Sequence, residues 1–195
     1  MASRIVVVRH GETEWSRSHQ HTGLTDLPLT PTGEEQARAL RAPLAGWDLA
    51  LVLASPLQRA HRTAELAGLE PTLEPDLVEW DYGDAEGRTT AELEAETPGW
   101  SIWQHGPAGG EAAEAVGARV DRVLAHVAER TGEEDTACLV AHGHVLRVVA
   151  ARWLGLPASA GAHFRLGTAT LSVLGREHGR PVLDVWNAPL EAATG

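Results

Sequence analysis

Residues 5–12 read IVVVRHGE, in which four β-branched apolar residues end directly in Arg-His-Gly. An apolar run without polar alternation predicts a strand that is buried on both faces of a sheet. Residues 137–143 (ACLVAHG) have the same order, an apolar run that ends in His-Gly. Because ligands of open α/β sheets bind beyond the carboxyl ends of the strands, we expect His10 and His142 at one edge of one sheet.

The rest of the chain alternates helix and strand patterns. Thr30 and Ser55, each followed by proline, predict the caps of two helices, the second of which runs to about residue 67. Residues 49–54 predict a strand, and residues 168–174 and 181–186 predict a late hairpin. We therefore predict an α/β three-layer sandwich, with a mostly parallel central sheet and helices on both faces.

Residues 77–110 differ from this pattern. They combine tryptophans, acidic residues and glycine-rich turns without clean periodicity, which predicts a lid insertion over one end of the sheet. An amphipathic helix follows: valines at positions 116, 120, 123 and 127 share one face, whereas Arg119 and Arg122 lie elsewhere. We expect one domain over residues 1–195, because this length fits a single core.

The composition excludes several classes of function. The formal net charge is −11, which disfavours nucleic acid as a partner. All 16 basic residues are arginine, so a bound anion must be held by arginine, histidine or backbone N–H groups. Cys138 is the only cysteine, which rules out an intrachain disulfide. The apolar run at residues 5–8 is too short for a signal peptide or a membrane span, so we expect no membrane and a cytoplasmic location.

Positive charge is expected to converge at the histidine edge of the sheet. Arg9 ends one strand, and Arg59 lies in the helix that follows residues 49–54. Core packing does not require this charge, whereas a phosphoryl group does, since guanidinium groups match its oxygens. We expect the N-termini of the helices after Ser55 and Gly143 to add backbone N–H donors.

Four blocks of sequence together carry a family resemblance: residues 9–13 (RHGET), 55–60 (SPLQRA), 77–87 (LVEWDYGDAEG) and 141–144 (AHGH). In this order and spacing they resemble the histidine phosphatase superfamily, which has the phosphoglycerate-mutase-like fold. The resemblance implies that His10 is the nucleophile that forms a phosphohistidine, and that Glu79 is the general acid. It also implies that the phosphoryl oxygens are held by Arg9, Arg59 and His142.

The chemistry agrees with these roles. His10 can attack only as a neutral imidazole, so its second nitrogen must be fixed by a hydrogen bond. The acid must be protonated in the first step while His10 is not, which predicts an acidic pH optimum.

Within the superfamily, the chain is most similar to mycobacterial-type acid phosphatases and fungal sedoheptulose-1,7-bisphosphatases. In the latter group, the arginine that matches Arg147 faces the far end of a sugar phosphate, although it can equally be a plain residue of a helix's first turn. The substrate-binding residues implied beyond the catalytic set are Ser16, His21, Thr22, Gly23, Tyr82 and Arg147.

Hydrolysis is favoured over mutase activity, because the chain lacks the lysine and the paired arginines with which mutases of this fold grip substrate. A metal site is disfavoured because Arg9 and Arg59 would repel a cation. We therefore predict a phosphomonoesterase for small phosphorylated metabolites that uses neither metal nor cofactor. A narrow sugar bisphosphatase, a mutase and a catalytically silent phosphate-binding module stay open. A homodimer paired through the late hairpin near Leu171 and Val173 is also expected.

Overall fold

The computed structural model describes Ala2 and residues 4–189. Its strands are β1 (Arg4–Arg9), β2 (Leu49–Ala54), β3 (Thr72–Leu73), β4 (Thr136–Ala141), β5 (Leu171–Glu177) and β6 (Arg180–Ala188). Its helices are α1 (Glu14–Arg17), α2 (Pro31–Ala39), α3 (Arg41–Leu44), α4 (Gln58–Leu66), α5 (Thr90–Glu96), α6 (Ile102–His105), α7 (Ala113–Arg130) and α8 (Gly143–Trp153).

The strands form one sheet in the order β3-β2-β4-β1-β5-β6. The first four run parallel, β5 is antiparallel to its neighbour β1, and β6 is antiparallel to β5. The mostly parallel sheet and the late hairpin are thus confirmed. Since β2, β4 and β1 are neighbours, the loops at their carboxyl ends meet at one edge.

Helices cover both faces of this sheet, as expected. Val7 in β1 packs in a cluster with Leu139 and the valines of α7 and α8. Val6 and Val8 point to the opposite cluster, which holds Leu40 after α2, Leu44 of α3 and Ala64 of α4. The period of two along β1 therefore divides one apolar run between two cores, which explains why it shows no polar alternation.

The two helix starts that read alike in sequence differ in structure. The Thr30 hydroxyl accepts a hydrogen bond from Gly33 N–H at 3.0 Å, so this cap is confirmed. The expected cap at Ser55 is wrong, because α4 begins three residues later at Gln58. The Ser55 hydroxyl instead lies 2.7 Å from the Nε2 atom of His142, which gives it a role in the site.

Arg119 corrects the sequence analysis of α7. The four valines are buried as predicted, but Arg119 is also buried, with 5% of its surface exposed. A guanidinium can lie inside a protein when its donors are satisfied. Arg119 meets this condition through the Glu111 carboxylate and three backbone carbonyls.

The late hairpin is shorter at its start than predicted, since β5 begins at Leu171 and residues 166–168 form a loop. Leu171 and Val173 are buried in the core of the chain, so the hairpin surface that we expected to pair subunits is not available there. Residues 77–110 contain α5, α6 and short 3₁₀ turns. None of the helices in residues 4–189 is both long and apolar enough to cross a membrane.

Candidate active site

Three adjacent strand ends deliver the predicted charged residues to one edge. His10 follows β1 and His142 follows β4, and their ring centroids lie 5.2 Å apart. Ser55 follows β2, and Arg59 lies in the first turn of α4. The structure therefore brings together the residues that the sequence placed at one edge.

The tautomer of the His10 ring follows from the hydrogen bond that its Nδ1 atom makes. Its Nδ1 atom lies 2.7 Å from the carbonyl oxygen of Gly11, which can only accept, so Nδ1 carries the proton. The lone pair of the neutral ring is then on Nε2. Burial, with the Arg59 and Arg9 charges in addition, lowers the pKa of His10 well below its ordinary value. The ring is therefore held neutral, the form that can attack a phosphoryl group.

Arg9 has donors to spare. Its Nη1 donates to the carbonyl oxygen of Leu166 at 2.6 Å, whereas its buried Nε has no hydrogen-bond partner among the described residues. Burial lowers the pKa of Arg9, and the charge of Glu79 opposes the effect. Gly143 lets the guanidinium approach closely, because a Cβ atom there would lie 3.3 Å from the Arg9 Cζ. An unpartnered buried N–H is a donor for a ligand oxygen.

Arg59 and His142 form a chain with Ser55. The Arg59 Nε donates to His142 Nδ1 at 3.0 Å, so the proton of the neutral His142 ring lies on Nε2 and is donated to Ser55. The Nη atoms of Arg59 donate to carbonyl oxygens of residues 22, 23 and 25. Burial, followed by the Arg59 charge, lowers the pKa of His142 well below its ordinary value.

Glu79 is held by backbone N–H groups. Its Oε1 accepts from Trp80 and Val145, at 2.9 and 2.8 Å, and its Oε2 accepts from His144 at 2.9 Å. The last two donors are the N-terminal N–H groups of α8. Two of the N–H donors that we expected at this helix end for a phosphoryl group, those of His144 and Val145, therefore bind the Glu79 carboxylate instead. The first N–H of α4, at Gln58, is likewise used by Asp26.

A cavity of about 720 Å³ opens at this edge. Eight of the eleven residues predicted to be catalytic or substrate-binding line it: Arg9, His10, Ser16, His21, Thr22, Glu79, Tyr82 and Arg147. Arg59, His142 and Gly23 are absent from the lining. They lie behind it, where Arg59 joins the carbonyl oxygen of Gly23 to His142.

The far wall of the cavity is aromatic. The rings of His21, Tyr82, Trp100, Trp103 and His144 contact one another with centroid distances of 4.8–6.1 Å. The Tyr82 hydroxyl lies 2.6 Å from His144 Nδ1. Burial lowers the pKa of His21 to about 4, so the ring of His21 is uncharged at neutral pH.

Arg147 adds a charge to this wall. Its guanidinium lies 4.5 Å from the ring centroid of Trp103, and its Nε donates to the carbonyl oxygen of Gly161 at 2.9 Å. It is therefore fixed at the cavity rather than free in solvent.

Some lining residues carried no signal in the sequence. Residues 166–168 were assigned to a strand or left without a role, yet Leu166 accepts from Arg9 and all three line the cavity. His144 lay within the AHGH block of residues 141–144 but was given no role of its own. No group of three or more His, Cys, Asp or Glu side chains suited to a metal ion occurs within the part of the chain that the structure describes.

The sequence profile of the histidine phosphatase superfamily (branch 1) matches residues 5–189. The chain belongs to this superfamily. This histidine phosphatase is 40% identical over 179 residues to an acid phosphatase of Mycobacterium tuberculosis, covering 90% of this chain and 88% of that one.

Two further relatives of the histidine phosphatase are informative. It is 36% identical over 190 residues to the sedoheptulose 1,7-bisphosphatase of Saccharomyces cerevisiae, covering 80% of this chain and 69% of the other. A solved structure from Mycobacterium tuberculosis superposes with a TM-score of 0.91 at 38% identity, covering 96% of this chain and 98% of that one. Both phosphatase groups that the sequence resembles are thus confirmed as relatives.

Proposed function

We propose that this histidine phosphatase hydrolyses phosphomonoesters of small metabolites through a phosphohistidine on His10. The observation that carries the proposal is the hydrogen bond from Nδ1 to the Gly11 carbonyl, which leaves the Nε2 lone pair for attack. In the first step, Nε2 forms a bond to phosphorus and the bond to the leaving oxygen breaks. In the second step, water attacks phosphorus, inorganic phosphate leaves and neutral His10 is restored.

Glu79 would move the proton in both steps. It donates a proton to the leaving oxygen and then takes one from the attacking water. Oε2 accepts one backbone N–H and Oε1 accepts two, so Oε2 is the oxygen with room for the proton. Glu79 lines the cavity that also contains His10, which places both groups on the same substrate.

Arg9 would be the first donor to the phosphoryl oxygens, since its Nε has no partner. Arg59 would supply further positive charge from behind the lining, and the neutral His142 ring, 5.2 Å from His10, would complete the site between Arg59 and Ser55. Charge neutralisation and in-line positioning are the main requirements of phosphoryl transfer. The role of Gly23 would be indirect, through its carbonyl contact with Arg59.

The leaving group would occupy the rest of the cavity. Ser16, His21, Thr22, Tyr82 and Arg147 line this region, and residues 77–110 supply a lid through Trp100 and Trp103. We also propose a single domain and a cytoplasmic location. The one cysteine of the chain, Cys138, is buried and cannot form an intrachain disulfide, which agrees with the proposed location. A homodimer would have to use a surface other than Leu171 and Val173.

The test is release of inorganic phosphate from an aryl phosphate in the presence of a metal chelator. We expect activity in the wild type, and trapping by an alkaline denaturing quench, in which the P–N bond is stable, of a protein that has gained one phosphoryl group. His10→Ala should lose both, whereas His61→Ala, on the exposed side of α4, should retain both. Full activity in His10→Ala, or a requirement for added metal, would overturn the proposal.

A sugar bisphosphatase is the second candidate, favoured by Arg147 at the cavity. If it is correct, Arg147→Gln should raise KM for a sugar bisphosphate about 10-fold or more, since a charge-assisted contact to phosphate is lost, and leave an aryl phosphate unchanged. Conversion of 3-phosphoglycerate in the presence of 2,3-bisphosphoglycerate would instead favour a mutase. Phosphate binding without turnover would favour a silent binding module.

A further inference from the structure

The segment that carries Glu79 has no regular secondary structure of its own. Residues 78–82 lie between two 3₁₀ turns, and neither a helix nor a strand includes them. A proton donor has to be held to within about 0.5 Å of its working position to be effective. Contacts from outside the segment must therefore fix it.

Arg119 provides these contacts from one side. Its Nη1 donates to the carbonyl oxygens of Asp76 and Val78, at 2.8 and 2.7 Å, and its Nη2 donates to the carbonyl oxygen of Glu79 at 3.0 Å. Its remaining donors bind the Glu111 carboxylate, with Nε at 3.0 Å and Nη2 at 3.1 Å. All five N–H groups of the guanidinium are thus used, and three of them bind the backbone that leads to the Glu79 side chain.

Glu111 holds the same segment from the other side. Its Oε2 accepts from Asp81 N–H at 3.0 Å, and its backbone N–H donates to the Asp81 carbonyl oxygen at 3.0 Å. Its own carbonyl oxygen accepts from the indole Nε1 of Trp80 at 2.8 Å. The Arg119–Glu111 ion pair therefore grips the backbone of residues 79–81 on both sides of Trp80.

We propose that the Arg119–Glu111 pair is the positioning device for the acid of the reaction. Arg119 ties Glu79 to α7, while the N-terminus of α8 holds the Glu79 carboxylate. The proposal rests on the proposed function, in which Glu79 protonates the leaving oxygen. Neither Arg119 nor Glu111 lines the cavity, so they act through Glu79 and are positioning residues.

Stability alone does not account for such a pair. Burying two charges is costly, and an apolar pair of similar size is often at least as stable. What an apolar pair cannot supply is five directed donors for three carbonyl oxygens and one carboxylate. The pair therefore specifies the path of the segment more than it stabilises the fold.

The experiment compares two substrates that differ in their need for the acid. An aryl phosphate has a good leaving group and needs little protonation, whereas an alkyl phosphate needs a full proton transfer. Arg119→Lys keeps the charge but loses the forked geometry. We expect this variant to lower kcat for the alkyl phosphate roughly 10-fold to 100-fold, which is a part of what general acid catalysis supplies. For the aryl phosphate, kcat should fall less than about 3-fold. KM should change little for either substrate.

Arg122→Lys is the matched control. Arg122 lies one turn further along α7, and its side chain is 63% exposed. Its Nε and Nη2 atoms each donate to the Asp76 carboxylate at 2.7 Å. It should leave both substrates unchanged. If Arg119→Lys fails to fold, Glu111→Gln, which keeps its backbone contacts to residues 80 and 81, tests the same pair.

The outcomes separate cleanly. Equal losses on both substrates, or no loss on either, in a folded Arg119→Lys or Glu111→Gln protein would overturn the positioning role. A wild type that releases phosphate from neither substrate would instead overturn the proposed function. A selective loss on the alkyl phosphate, matched by Glu79→Gln and not enlarged in the double variant Glu79→Gln/Arg119→Lys, supports the proposal.

Discussion

Lowering the pH from 7.5 to 5.5 should destabilise this protein. Burial is the largest cause that lowers the pKa of four histidines of the site: His10, His21, His142 and His144. Each stays neutral in the folded chain but takes up a proton on unfolding once the pH falls below its ordinary pKa of about 6.5. Unfolding then binds protons, so stability is complete above about pH 6.5 and declines as the pH falls toward the folded-state pKa.

The size of the effect follows from His21, whose pKa is lowered to about 4. Between pH 7.5 and 5.5, a shift from 6.5 to about 4 removes about 1.3 kcal/mol from the free energy of unfolding. The other three histidines are shifted in the same direction, so each adds to this loss. A typical domain is stabilised by only roughly 5–15 kcal/mol, so the loss is large enough to measure.

Urea unfolding at half-unit steps from pH 7.5 to 5.5, in buffers without phosphate, measures this loss. Phosphate is left out because an anion bound to the folded site would stabilise it. His21→Gln removes one titrating group. Between pH 7.5 and 5.5, the free energy of unfolding of this variant should therefore fall by about 1.3 kcal/mol less than that of the wild type. A free energy of unfolding that is constant between pH 7.5 and 5.5, or an identical slope in His21→Gln, would refute the reasoning.

Three more predictions concern the site itself. Glu79→Gln should lower kcat for an alkyl phosphate by roughly 10²–10⁴ but still form the phosphohistidine from an aryl phosphate, measured after an alkaline denaturing quench. Ser55→Ala should lower the free energy of unfolding by about 1–3 kcal/mol, because the buried Nε2–H of His142 loses its acceptor, and urea unfolding at pH 7.5 measures this loss. Activity should be greatest at acidic pH, since the acid must carry a proton in the first step while the lowered pKa of His10 keeps that ring neutral, and a profile that is flat from pH 5 to 8 would contradict this.

Local signals in the sequence predicted much of the fold. They failed where a residue that is distant in the chain determines the hydrogen-bond partner of a side chain. The β-branched run before His10 predicted β1 and its place in the sheet, because burial on both faces requires apolar residues at every position. Thr30 and Ser55 offered the same signal, yet only Thr30 caps a helix. The Ser55 hydroxyl is claimed by His142, which is 87 residues away in the chain, and no local pattern contains that contact.

The buried arginines show what the sequence could not supply. Arg119 uses all five of its donors within the protein, Arg59 has bonds from its Nε and both Nη atoms, and Arg9 leaves its Nε without a partner among the described residues. The three side chains are chemically identical, so residue type cannot separate a guanidinium that fixes a segment from one that can bind a substrate. The number of unused donors does separate them: it favours Arg9 for the proposed contact with the ligand, whereas Arg119 has no donor left beyond Glu111 and the backbone that carries Glu79.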